Sequence, residues 1–195
     1  MATIRQASTR AAAGAARLQR FIDAQDSPYW QSSSTTYERA LLELKQGQKR
    51  GHWIWFIFPQ LDGLGMSRQS SIYSLKGVHE AVLYLRHKEL RRRYIAAMEA
   101  VQSVSKRKEL EEILQSRVDT VKFISSLTLF QGTSRWMAEH SESLHLGASE
   151  SEEITTVNEL CTMLIDTATQ QGFKPCSFTA SRLEIFNLKE TDATV

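Results

Sequence analysis

Apolar residues recur along this chain mostly at three- and four-residue spacing, the pattern of helices that bury one face. Leu18, Phe21 and Ile22 share a face of a first helix over 18–25. Tyr37, Ala40, Leu41 and Leu44 mark a second, which Gly47 is placed to end. Ala81, Tyr84 and Leu85 begin a pattern over 80–87 that Leu90, Tyr94, Ala97, Met98 and Val101 carry on. Leu110, Ile113 and Leu114 mark a further helix, with Ser105 as its predicted cap. Residues 118–130 read as a helix opened by Asp119, with Val121, Ile124, Thr128 and Leu129 inward. The longest stripe runs from Ile154 through Val157, Leu160, Cys161, Leu164 and Ile165 to Ala168, with Ser151 as its predicted cap and Gly172 as its stop. A short last helix is expected over 179–186, and a tail over 187–195.

One stretch breaks the pattern. Trp53-Ile54-Trp55-Phe56-Ile57-Phe58 is six apolar residues in a row, followed by Pro59-Gln60 and a loop with Gly63, Gly65 and Ser67. Local propensity favours a buried strand. Almost nothing else alternates with period two, so such a strand would have no partner. Each buried backbone group left unpaired would cost about 1–3 kcal/mol. A helical segment pairs those groups internally, and the run is therefore predicted to be a central buried aromatic helix. The expected fold is all-α: a single-domain compact helical bundle over 17–186, preceded by an Ala/Arg-rich extension over 1–16 and interrupted by a polar loop insertion over 132–150.

Composition adds limits rather than a function. The chain has 195 residues, 42% of them hydrophobic and 24% charged, with 24 Lys and Arg against 22 Asp and Glu. That length suffices for a core without staples, and the near balance gives no global attraction to nucleic acid or an anionic membrane. No apolar run approaches the roughly 20 residues a membrane span requires. Cys161 and Cys176 form no CxxC or Cys/His spacing, so no metal site is expected and two free thiols in a reducing compartment are. From Met1 to Ile22 the chain has no acidic residue but carries Arg5, Arg10, Arg17 and Arg20 among Ala, Ser and Thr, the composition of a mitochondrial transit peptide or of a plain extension. A cytoplasmic location is expected, with the mitochondrion as the alternative.

The segments "LQRFIDAQD", "YERALLELKQGQKRGHWIWFIFPQLDGLGMS", "IYSLKGVHEAVLYLRHKEL" and "VDTVKFISSLTLF" resemble the family called domain of unknown function 1810. The resemblance spans about residues 17–131 and rests on K-R-x-H-W-x-W-F-I-F-P-Q, G-L-G-x-S and D-x-x-K-x-x-S-S-L-T-L-F. It implies an all-α fold and no particular reaction. Some members carry a calpastatin label, but nothing in this sequence points to calpain inhibition. The chain departs from the family at His87-Lys88-Glu89-Leu90, where a proline is usual after the histidine, and through its C-terminal third.

The motif residues supply the candidate chemistry. His52 suits a general acid or base, or a structural hydrogen bond at the entry to the buried run. Most of the aromatics are core, and Trp55 is the one expected to line a cavity. Gln60, Gly65 and Ser67 belong to a Gly-rich turn entering a helix, which can present N–H groups to an anion, although neither a Walker A nor a dinucleotide fingerprint is present. Asp119 and Lys122 lie three apart and Lys122 and Ser126 four apart, on one helix face. The basic runs 86–93 and 106–108 are interleaved with Glu89, Glu109, Glu111 and Glu112, which suits solvated faces and gives no specific nucleic-acid signal.

Two functional expectations follow. In the first, a phosphate-bearing or nucleotide-like small molecule binds between the 52–67 segment and the 119–128 helix. Trp55, Gln60, Gly65, Ser67, Tyr73, Lys122 and Ser125 would hold it, with His52 and Asp119 as acid or base if the ligand is also hydrolysed. No cofactor is expected. In the second, the chain is a non-enzymatic protein-interaction module whose motif residues are structural. No motif decides whether it is an enzyme, and the oligomeric state is not legible.

Overall fold

The computed structural model describes residues 16–29 and 33–192. The expectations for the N-terminal extension, including the transit peptide, concern residues almost all outside that range. Among the described residues the chain is helical without strands, apart from isolated bridges at Pro28/Thr35 and Leu61/Leu75. Helix α1 covers residues 16–26. It is followed by α2 (Thr36–Gln46), α3 (Ile54–Ile57), α4 (Arg68–Tyr73), α5 (Val78–Arg86), α6 (Lys88–Ser105), α7 (Leu110–Leu114), α8 (Arg117–Glu139), α9 (Ala148–Gln170) and α10 (Ser177–Asp192).

Local signals set many of the ends. Thr35 and Glu38 form a capping box at the start of α2: the Thr35 hydroxyl accepts from Glu38 N at 3.2 Å, and the Glu38 carboxylate accepts from Thr35 N at 2.7 Å. Gly47 stops α2 in the left-handed region at φ 65°. The six-residue apolar run does form a helix, though one of a single turn. Ile57 N donates to Trp53 O at 3.1 Å and Phe58 N to Ile54 O at 3.0 Å. Pro59 excludes helical geometry at Phe58, which takes φ −124°. This turn is buried: Trp53, Ile54, Ile57 and Phe58 are essentially inaccessible.

Helix α8 is the axis of the molecule. All eight residues from Phe123 to Phe130 are buried, because α3, α5, α7, α9 and α10 pack around it. Its polar residues are satisfied by neighbouring elements. Ser126 Oγ pairs with Tyr94 OH of α6 at 3.2 Å, Ser125 Oγ with Thr179 Oγ1 of α10 at 3.3 Å, and Thr128 Oγ1 accepts from Cys176 N at 3.1 Å. Aromatic edges close the core, with Phe58 on Phe123 at 4.6 Å and Tyr94 on Phe130 at 4.6 Å.

Several expectations need correction. Residues 132–150 are not a loop insertion: α8 continues to Glu139 and α9 begins at Ala148, leaving only a short turn-rich connection. Buried Thr133, Ser134 and Met137 carry the packing face onward, and the hydroxyls of Thr133 and Ser134 are what give the stretch its polar, loop-like composition. Val121, expected inward, is about half exposed, because neighbouring Phe123 and Ile124 take the inner face. Ser105 closes α6 rather than opening α7, whose start is held by a capping box of Glu109 and Glu112. Gly147, not Ser151, precedes α9. The 80–101 pattern is two helices, broken at His87, whose ring accepts from Leu90 N at 3.4 Å. The last helix reaches Asp192, so residues 187–192 of the expected tail are helical. The 86–93 basic run is not simply solvated. Arg91 is buried, donating to Leu85 O at 2.6 Å and to Glu153 at 2.6 Å, and Arg93 ties Glu89 to Asp26.

Candidate functional site

The site is built on a carboxylate. Glu43 of α2 is fully buried and accepts four hydrogen bonds: from Arg50 N at 2.7 Å, Gly51 N at 2.9 Å, Trp53 Nε1 at 2.8 Å and Arg39 Nε at 3.1 Å. These bonds fold the Lys49–Trp53 stretch against α2 and aim the following turn into the core. Burial raises the Glu43 pKa, and the donated bonds outweigh it, holding the carboxyl below its ordinary value.

Lys49 is thereby brought to α8. Its Nζ lies 2.7 Å from Asp119 Oδ2 and donates to Gly51 O at 2.8 Å. Asp119 Oδ1 accepts from Lys122 Nζ at 2.9 Å. The Lys122 ammonium in turn stands 4.5 Å from the centre of the Trp55 ring, within cation–π range. Burial raises the Asp119 pKa, and the two lysines together more than reverse that, so the carboxyl sits below its usual range. The result is a linked series, Lys49–Asp119–Lys122–Trp55, joining the aromatic turn to the first two turns of α8.

Beside this series lies a cleft of about 540 Å³. The 60–67 loop supplies Gln60, Leu64, Gly65, Met66 and Ser67. Helix α8 supplies Arg117, Val118, Val121, Lys122 and Ser125, while Trp55, Ser70 and Cys176 complete the lining. Trp55 is half-buried, and its indole Nε1 is buried without a hydrogen-bond partner among the described residues. Gly65 is required by its surroundings, as a Cβ there would meet the Ser70 side chain at 2.8 Å. Ser67 caps α4, its hydroxyl accepting from Ser70 N at 3.1 Å. Met66, Val118 and Val121 form an exposed apolar rim.

Six of the nine candidate residues therefore line one cleft: Trp55, Gln60, Gly65, Ser67, Lys122 and Ser125. Tyr73 lines a second, much smaller void that shares Trp55, Gln60 and Gly65, and its ring packs on Phe56 at 5.2 Å. Asp119 touches the site through Lys122. His52 is exposed and lines neither space. Sequence reasoning missed Glu43 and Lys49, the residues that place the turn. It missed Cys176 too, which arrives from the loop before α10 with no local signal. Val121 reads as core from its spacing because alternate turns of a buried helix look alike in sequence.

Among the described residues no group of His, Cys, Asp and Glu could hold a metal ion, and no helix is long and apolar enough to cross a membrane. Cys161 and Cys176 are free.

The molecule is an all-α domain with a buried aromatic turn and a cleft between a Gly-rich loop and its central helix. The chain belongs to the family described as Protein of unknown function (DUF1810), which matches residues 15–160. That match extends past residue 131, through the end of α8 and into α9. The crystal structure of a conserved hypothetical protein from Mycobacterium tuberculosis is similar, with 32% identity and a TM-score of 0.54 over 72% of this chain and 83% of that one. No curated protein matches the chain.

Proposed function

We propose that the cleft binds a small molecule that joins a flat ring to a phosphate-type anion, that is, a nucleotide-like ligand. The observation that carries this reading is the placement of Lys122 over the Trp55 ring at the cleft wall. An aromatic face and a fixed cation then lie within one small molecule's length, beside apolar surface from Leu64, Val118 and Val121. Gln60 and Ser125 add polar groups that can orient the ligand. The unpartnered indole N–H offers a further donor, since a buried donor without a partner costs about 1–3 kcal/mol. Asp119 is an ionised carboxylate committed to two lysines, which suits orienting Lys122 better than transferring a proton. The proposal is thus for binding, and hydrolysis is no part of it.

Isothermal titration against nucleotides, ADP-ribose and sugar phosphates tests it. A ligand should bind with an enthalpy signal that Lys122→Met weakens by about tenfold or more, the effect of roughly 1.4 kcal/mol. Trp55→Phe, which keeps a ring but removes the N–H, should weaken it less. Unchanged affinity in both variants, with the fold intact by circular dichroism, would refute the reading. The exposed rim of Met66, Val118 and Val121 favours a second reading, a docking face for a protein partner. Flat titrations throughout would favour that one.

A further inference from the structure

The charges around the cleft do not sum to a strong anion trap. Arg117 and Lys122 are the charged side chains that line it. Arg117 is largely exposed and lies 3.2 Å from Glu111, so solvent and its partner screen most of its field. Lys122 shares the Asp119 carboxylate with Lys49. Two ammonium groups and one carboxylate leave one net positive charge for a ligand. Leu64, Met66, Val118 and Val121 give apolar surface, and the other polar side chains of the lining, among them Gln60, Ser67 and Ser70, are neutral. Ser125 already shares its hydroxyl with Thr179.

Resting on the nucleotide-like reading above, we infer that the cleft selects a phosphodiester monoanion over a terminal phosphate dianion. The Lys49–Asp119–Lys122 triad sets that choice. The first negative charge is matched by the triad. The second must give up water with only neutral groups and the Glu111-paired Arg117 to receive it, and a charge moved out of water without a matching partner is disfavoured. A diester keeps the single charge and adds an ester substituent that the apolar walls accommodate. Asp119 is here a positioning residue: it acts through Lys122, and its own charge tunes how much positive field reaches the ligand.

The test uses three matched ligands on the 195-residue chain at pH 8: a nucleoside, its 5′-monophosphate and the methyl ester of that monophosphate. The monophosphate is then a dianion, since its second ionisation falls near pH 6, whereas the methyl ester carries one charge on the same skeleton. The ester should bind about tenfold more tightly than the neutral nucleoside, the factor expected for one unit charge at partly exposed distances, and more tightly than the dianion, whose second charge loses water without a free cation. Asp119→Asn raises the triad to two net positive charges and should erase or reverse the preference between the phosphates. Lys49→Gln lowers it to zero and should bring the ester down towards the nucleoside, which keeps the inference testable should Asp119→Asn unfold. If the dianion binds as tightly as the ester, and both bind more tightly than the nucleoside, the inference fails while the nucleotide-like reading stands. A folded Asp119→Asn protein with an unchanged preference also overturns it. If none of the three binds, both fail.

Discussion

Glu43 shows how one side chain can organise a site it does not line. Its carboxylate takes four donors at zero exposure, and two of these are backbone N–H groups of the loop that carries Lys49 and His52. Removing it strands buried donors and an ordered arginine. Glu43→Ala should therefore destabilise the fold by about 3–5 kcal/mol, as for other broken buried polar clusters, measured by urea unfolding. A loss below 1 kcal/mol would mean that water replaces the carboxylate. No periodicity argument could have found this residue. Glu43 sits among Leu41, Leu42 and Leu44 as an ordinary polar position, and its partners are up to ten residues away. His52 is the converse case: prominent in the motif, yet exposed, while the residues on either side of it are held by Glu43.

The helices differ in how much of their form was readable. The end of α2 was readable, because Gly47 sits in the left-handed region that other residues enter at a cost. A Cβ at Gly47 would also meet Val104 Cγ1 at 2.6 Å. Gly47→Ala should then cost about 1–3 kcal/mol through strain and overpacking combined. Thermal melting checks this, and a neutral result would show that α6 yields at Val104. Helix α3 was readable by elimination, from the absence of any strand partner. Helix α8 was only half readable. Its start and its Ser/Thr content were visible, but not its length or which face is wet. A helix packed on five sides has no single apolar stripe, and its serines and threonines count as polar in sequence while bonding across buried interfaces in three dimensions.

Several carboxylates of the assembled molecule are held in ion pairs and hydrogen bonds that make them easier to ionise than usual. Hydrogen bonds from Arg92 and Arg93 hold the Glu89 pKa down to about 2 against its ordinary 4.5. Glu43 and Asp119 are also lowered, in both cases by donated bonds that outweigh burial. A depressed carboxylate stabilises the fold above its unfolded pKa, and that contribution is lost as pH falls through the folded one. Melting temperature should therefore hold level above about pH 5 and fall between about 4.5 and 2. A scan that stays flat to pH 3 would show that these pairs add nothing net. High salt should alter the Glu89 cluster more than the Glu43 cluster, because only the first is substantially exposed.

The helical class, the helical rather than extended form of the aromatic run, the Gly47 end of α2 and the Ser67 cap of α4 followed from the sequence alone. Each depends on residues within about one helical turn, where spacing and chemistry act directly. The motif segments 52–67 and 119–128 could also be named as the pair to bring together. Their junction was a tertiary matter. Lys49 meets Asp119 across seventy positions, Cys176 reaches Thr128 from the far end of the chain, and Val121 turns outward because Phe123 and Ile124 claim the core. Such contacts are chosen by which faces can be buried at once, and a pattern read one helix at a time does not contain that choice.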